Sequence, residues 1–150
     1  MSKGDLLGIY KCILRPSTEY SSIVYHSLIP GFLADRLESV QRQAMKVIFG
    51  YAVNYDNLLA NGTIETLASR RQENCLKFAL KVESSQRFNT WFKKTTTSSD
   101  REVRPGTRPK YIEKRCKTER SRNNPLLALT RILNEHYRNC LLYTSPSPRD

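Results

Sequence analysis

The stretch LESVQRQAMKVIFG, residues 37–50, decides the fold class of this chain. Within it and just before it, apolar residues recur at spacings of three and four, at Leu33, Leu37, Val40, Ala44, Val47 and Ile48. This period predicts an amphipathic helix over residues 32–49 with its apolar stripe in the core. Gly50 predicts the end of the helix, because glycine readily adopts the backbone conformations that close one. Val40 is expected to be buried, so Val40→Asp should unfold a marginal domain.

The same periodicity on both sides of this stretch predicts further helices. Residues 6–14 and 20–28 carry apolar stripes, and Pro16 and Pro30-Gly31 are expected to end or kink the helices. A helix with Thr63 as its cap should run to residues 84–85, with Cys75 on its inner face. Pro125 opens a last helix at the first helical position, where its missing N–H is harmless.

The predicted fold class is all-α, a small helical bundle followed by a basic, poorly ordered linker and a C-terminal helix. At 150 residues the chain has room for one domain and a tail. We assign the bundle to residues 5–92 and the linker to residues 93–122, whose few apolar residues cannot offset the entropy of ordering. The last helix is assigned to residues 123–139. Residues 140–150, CLLYTSPSPRD, look like a translated sequencing adapter and are taken as a non-native tail.

Basic residues outnumber acidic ones and are concentrated in the second half of the chain. The sequence has 25 Lys and Arg against 14 Asp and Glu, with a pI of about 9.8. Residues 1–92 carry a net charge of +3 and residues 93–150 a net charge of +8. This excess predicts a polyanionic partner, with nucleic acid as the first candidate and an anionic membrane surface as the second.

The basic residues are also the candidates for contact with a phosphate backbone, without sequence preference. Residues 101–122 hold nine of them, a density that favours contact with a polyanion over a merely solubilising tail. The pair Arg70-Arg71 either touches phosphates or belongs to a solvated face on which one Arg pairs with Glu65 or Glu73. The candidates are Arg42, Lys46, Arg70, Arg71, Arg101, Arg104, Arg108, Lys110, Lys114, Arg115, Lys117, Arg120 and Arg122.

The sequence shows no constellation for catalysis or metal binding. The four cysteines are 63, 41 and 24 residues apart without a CxxC pair, which excludes a structural zinc site. No secretory signal and no run of 18 apolar residues is present, so we expect reduced thiols, no membrane span, and an intracellular location in the nucleus or cytoplasm. Polymerases hold two divalent ions about 3.5–4 Å apart on clustered carboxylates. Here each aspartate is isolated in the sequence: Asp5, Asp35, Asp56, Asp100 and Asp150.

Three groups of residues carry a family resemblance. Leu14-Arg15-Pro16 with Glu19-Tyr20 fit a pattern IRPxLEY, and Leu37-Glu38 with Val40-Gln41-Arg42, Ala44 and Ile48 fit LExVQRRAxRxI. Leu67, Arg70-Arg71, Leu76 and Phe78 fit LxxRRxxLxLxF. In combination these residues resemble the region that follows the catalytic palm in reverse transcriptases of non-LTR retrotransposons, the jockey-like elements. The resemblance covers residues 6–92 and 118–134, with departures at Ser17, Thr18, Ile23 and Tyr25.

The resemblance implies a function without catalysis. The chain would be a C-terminal fragment of an RNA-directed DNA polymerase, a helical, thumb-like bundle that holds primer–template nucleic acid. Its partners would include the missing N-terminal polymerase domains, and Mg²⁺ would belong to the missing palm, so no cofactor, no catalytic residue and no activity is expected in this fragment. The alternatives are a free-standing basic helical protein that binds RNA or acts as an adaptor, and a nonfunctional translated relic.

Overall fold

The computed structural model describes residues 1–95 and 109–144, which are mainly helical and contain no β-strand. The predicted all-α fold class is therefore confirmed. This part of the chain divides into two compact units, Met1–Asn74 and Cys75–Asp150, with the boundary inside a helix. The elements are α1 (Lys3–Ile9), a π-helical turn (Tyr10–Leu14), α2 (Arg15–Glu19), α3 (Ser22–Tyr25), α4 (Gly31–Phe49), α5 (Tyr55–Ala60), α6 (Leu67–Ser84), a 3-10 turn (Asn89–Trp91), α7 (Glu119–Arg122) and α8 (Pro125–Thr144).

The first helical segment continues through Pro16 instead of ending there. Pro16 has no N–H to donate, and the turn before it is π-helical. In that turn the Arg15 N–H donates to the carbonyl of Tyr10, five residues back. The wider turn accommodates the proline while the backbone stays helical to Glu19.

α4 has almost the predicted bounds, but its buried face is shifted around the helix from the predicted stripe and shares Ile48 with it. It ends at Gly50, whose φ of 98° and ψ of 157° are nearly exclusive to glycine. The buried residues are Gln41, Met45 and Ile48, and they belong to a core with Tyr10 and the residues of α5. Val40 is 54% exposed, so its predicted place in the core is wrong. The predicted unfolding by Val40→Asp loses its basis for the same reason.

A buried polar network at the centre of the first unit explains why this face is inside. The Tyr10 hydroxyl donates to Gln41 Oε1 at 2.5 Å, and Gln41 Nε2 donates to the Tyr55 hydroxyl at 2.7 Å. Nε2 also donates to the carbonyl of Glu65 at 2.8 Å. The Tyr55 hydroxyl in turn donates to Glu38. Gln41 is only 2% exposed but is fully satisfied, so its burial costs little.

Glu38 also fixes the start of α6. Its second carboxylate oxygen accepts the Leu67 N–H at 3.0 Å, and Thr66 Oγ1 accepts the Ser69 N–H at 3.1 Å. A carboxylate at the first free N–H groups of a helix is stabilising because it also faces the positive end of the helix dipole. The helix therefore begins after Thr66, and the prediction that Thr63 caps it is wrong.

Candidate nucleic-acid interface

Tyr111 anchors the basic segment that follows it to α8. Its side chain is 1% exposed and lies against Phe92 and Tyr137, with ring centroids 5.7 and 6.4 Å away. The Asn134 side chain accepts the Tyr111 N–H at 2.9 Å and donates to the Tyr111 carbonyl at 3.0 Å. This paired amide contact imitates the hydrogen bonding of a neighbouring strand. The few apolar side chains of residues 93–122 were predicted to bury too little surface to order the segment, and Tyr111 is the one among those described that is fully buried.

Glu83 of α6 collects three donors and fixes Lys110 beside Tyr111. Its carboxylate accepts from Lys110 Nζ at 2.8 Å, from the Tyr137 hydroxyl at 2.7 Å and from the Tyr111 hydroxyl. Burial raises the pKa of Glu83, but these hydrogen bonds outweigh it and hold the pKa below its usual value. Burial, followed by the bond to Glu83, raises the pKa of Tyr111 to about 12. Lys110, a predicted phosphate ligand, is thus paired inside the unit.

A basic cleft opens between the segment after Tyr111 and the start of α8. It encloses about 520 Å³. Lys114, Arg115 and Arg122 are exposed, and Arg131 is half-buried. Arg131 Nη2 donates to the carbonyl of Arg122 at 2.5 Å, which holds this guanidinium at the cleft wall. The lining residues are Glu113, Lys114, Arg115, Cys116, Arg122, Leu127 and Arg131.

The charges in this basic cleft favour an anion. Four cations line it against one carboxylate, and that carboxylate accepts a hydrogen bond from Asn134 Nδ2 at 3.0 Å. Several cations around one concave surface raise the local positive potential above that of scattered surface charges. Guanidinium groups also match phosphate oxygens with two parallel donors. The geometry suits a chain of phosphates better than a metal or a neutral ligand.

The adjacent pair Arg70-Arg71 lies in the first unit, and its two members differ in their surroundings. Arg70 Nε donates to Glu19 at 2.5 Å, and Nη1 donates to Glu65 at 3.3 Å. Arg71 is 2% exposed, and its Nε and Nη1 have no hydrogen-bond partner within the described ranges. Of the two readings of this pair, the structure favours internal pairing for Arg70. Arg70 is thus held by two carboxylates, and Arg71 lines a cavity of about 260 Å³ with Asp35 and Glu38.

The other candidates are spread over the chain. Arg42 is exposed and lies over the ring of Tyr55, 5.2 Å from its centroid, and Lys46 is half-buried. Lys117 and Arg120 are exposed but do not line the basic cleft. Among the described members of the predicted set, the structure brings Lys114, Arg115 and Arg122 together at the basic cleft, while Arg42 and Arg71 line a separate cavity with Asp35 and Glu38. Arg101, Arg104 and Arg108 lie outside the described residues.

Arg131 is the cation of the basic cleft that was not predicted from the sequence. It lies on α8, whose sequence indicates a helix that packs against the core, and Leu129 and Leu133 near it are indeed buried. The available signal was its spacing of four from Leu127, which places both side chains on one helix face. The basic density upstream gave no indication that α8 would supply a cation.

Metal clusters, membrane spans and cysteines can each be assessed in the described part of the chain. No three or more Cys, His, Asp or Glu side chains in it come together as a metal site, and none of its helices has the length and apolar character to cross a bilayer. All four cysteines are unbridged. Comparison with known proteins found no matching family model, no matching curated protein and no matching solved structure. The resemblance to a reverse transcriptase region therefore stays a prediction from the sequence.

Proposed function

We propose that this chain holds nucleic acid by its phosphate backbone through the basic cleft, without catalysing a reaction on it. The observation that carries the proposal is the convergence of Lys114, Arg115, Arg122 and Arg131 on one concave surface. Contacts of this kind give affinity without base readout, because phosphates are the same at every position. Duplex DNA and RNA–DNA hybrid are the expected ligands.

The family resemblance supports a more specific role. A module after the palm of a non-LTR retrotransposon reverse transcriptase would hold the primer–template duplex while another domain performs the chemistry. The partners would then be nucleic acid and the missing polymerase domains, with Mg²⁺ bound by the palm. Reading the genomic frame upstream tests this role: an in-frame palm with paired aspartates supports it, and a promoter and stop codon directly before Met1 contradict it.

Fluorescence anisotropy with a labelled hybrid duplex tests the basic cleft. We expect log affinity to fall linearly with log salt, by roughly 0.9 per phosphate neutralised on B-form DNA. Replacing Lys114, Arg115, Arg122 and Arg131 with Ala should weaken binding to all sequences alike and lower that slope by about 3 to 4. Circular dichroism should confirm that the variant remains helical.

A matched control separates the basic cleft from net charge. Replacing Lys3, Lys11, Lys81 and Lys93 with Ala removes the same four charges from exposed positions outside the basic cleft. This control should keep most of the affinity and of the salt slope. Equal losses in the two variants would show that only total charge matters, and full retention in the first would move attention to Arg42 and Lys46.

A further inference from the structure

We propose that Phe88 and Trp91, which we call the aromatic platform, stack unpaired bases of the nucleic acid whose phosphates the basic cleft holds. The inference rests on the proposed function and adds a substrate class to it, a duplex with a single-stranded extension. Trp91 is the single tryptophan of the chain and is 48% exposed, and Phe88 is 38% exposed. At this exposure each side chain leaves on the order of 100 Å² in contact with water.

The two rings of the aromatic platform contact each other edge to face. Their centroids are 5.2 Å apart, and the angle between their planes is 60°. In such a pair the ring that presents its edge has neither of its faces covered by the other ring. The guanidinium carbon of Arg87 lies 5.4 Å from the centroid of Phe88. Aromatic faces and guanidinium planes are the groups on which unpaired bases stack.

The backbone of the aromatic platform is anchored on both sides of Trp91. The Trp91 N–H donates to the Phe88 carbonyl at 3.0 Å, within the 3-10 turn. The next residue, Phe92, is 2% exposed, and its ring centroid lies 5.7 Å from that of Tyr111. The chain thus buries Phe92 and leaves Trp91 accessible on an ordered backbone. A ring that is already held in place loses less entropy when a base stacks on it.

Paired backbone connects the aromatic platform to the basic cleft. The Ile112 N–H donates to the Lys93 carbonyl at 2.8 Å, and Glu113, the residue after Ile112, lines the basic cleft. Chain geometry therefore limits the Cα distance from Trp91 to Glu113 to about 17 Å. A strand that rises about 3.4 Å per nucleotide covers this distance with about five nucleotides. One strand can therefore reach both surfaces.

The charges around the aromatic platform favour nucleic acid over an apolar partner. Residues 86–94, QRFNTWFKK, contain three cations and no acidic residue, and Arg87 and Lys94 are exposed. An apolar partner would have to take these cations out of water, whereas the phosphates on either side of a stacked base neutralise them. Every base has a π-face, so stacking adds affinity without sequence preference, as the proposed function requires.

Hybrid duplexes with and without an unpaired extension test the proposal on the full chain. Fluorescence anisotropy compares a blunt hybrid, the same hybrid with an extension of about six nucleotides, and one whose extension is abasic. The abasic extension keeps the phosphates and lacks the bases. The extension with bases should bind about five- to a hundredfold more tightly than the abasic one, which is the contribution of one stacked base. Intrinsic fluorescence, which Trp91 alone supplies, should be quenched by the extension with bases and not by the abasic one.

Variants assign this difference to Trp91. Trp91→Ala should remove most of the difference between the two extensions and leave the affinity for the blunt hybrid unchanged. Trp91→Phe should retain part of the difference, because an aromatic ring remains. Tyr51→Ala is the matched control, since it removes a ring that is 76% exposed in the first unit, and it should change neither affinity. Circular dichroism should show that each variant remains helical.

The outcomes separate the aromatic platform from the basic cleft. Equal binding of the two extensions by the unchanged chain, with the blunt hybrid still bound, would overturn the aromatic platform and leave the basic cleft standing. Binding of the extension with bases that leaves the fluorescence of Trp91 unchanged would overturn it as well, as would equal losses in Trp91→Ala and Tyr51→Ala. No binding of any of these ligands would contradict both proposals.

Discussion

Gln41→Leu should destabilise the first unit by about 1–5 kcal/mol, although it replaces a buried polar side chain with an apolar one of similar size. The change removes the acceptor of the Tyr10 hydroxyl and the donor to the Glu65 carbonyl. Each stranded buried group costs about 1–3 kcal/mol, and the added apolar burial offsets about 1 kcal/mol. Tyr55 contributes less to the loss, because its hydroxyl still donates to Glu38.

Urea unfolding followed by circular dichroism measures this loss as a shift in the midpoint at constant slope. Gln43→Leu is the matched control, because Gln43 is exposed on the same helix, and its effect should stay within about 0.5 kcal/mol. Adding Tyr10→Phe to Gln41→Leu should recover part of the loss, because both partners of one hydrogen bond are then apolar. Equal effects at Gln41 and Gln43, or no recovery in the double variant, would refute the network as described.

Four further outcomes follow from other parts of the structure. Val40→Asp should change the free energy of unfolding by less than about 1 kcal/mol, since Val40 is exposed, and a large loss in a urea titration would place it in a core after all. Gly50→Ala should cost about 1–3 kcal/mol because of its φ of 98°, whereas Gly31→Ala, with open space at its Cβ, should not destabilise by a comparable amount. Burial, with the nearby charge of Arg71, holds the pKa of His26 below its usual 6.5. As the pH drops below about 6.5, the unfolded chain therefore binds this proton before the folded chain does, and the free energy of unfolding should fall. In thermal melts at several pH values, His26→Gln should weaken this dependence of stability on pH. Purified protein should give no primer extension with Mg²⁺ or Mn²⁺, because its aspartates are isolated in the sequence. A primer-extension product that no control for contaminating polymerase abolishes would contradict this.

The local signals in the sequence predicted α4 well, but they missed α5 and the start of α6. The three-and-four spacing and Gly50 act within a few residues of each other, and α4 accordingly has nearly its predicted bounds. The exact buried face was missed, because the predicted stripe and the buried residues Gln41, Met45 and Ile48 have the same spacings of three and four along the helix. What buries Gln41 is a pair of tyrosines 31 and 14 residues away, and no local pattern reports partners at that distance.

The basic cleft was predictable only in part, for the same reason. Charge density identified Lys114, Arg115 and Arg122, because composition alone carries that information. Their convergence with Arg131 depends on the contact between Asn134 and Tyr111, which are 23 residues apart. Likewise, a salt bridge to Glu19, 51 residues before Arg70, could not be read from the adjacent Arg pair.

The contact between Asn134 and Tyr111 also sets a timing for the binding surface during synthesis. The ribosome releases the chain from its N terminus, so Lys114 and Arg115 emerge before the amide that holds Tyr111 has been translated. Until α8 has been synthesised, the basic cleft lacks the wall that α8 provides, and Lys114 and Arg115 lie on a segment that nothing anchors. Chains truncated before Asn134 keep those positive charges but lack the concave surface that orders them. Under the proposed function, chains that end before Asn134 should therefore bind nucleic acid more weakly than the full chain.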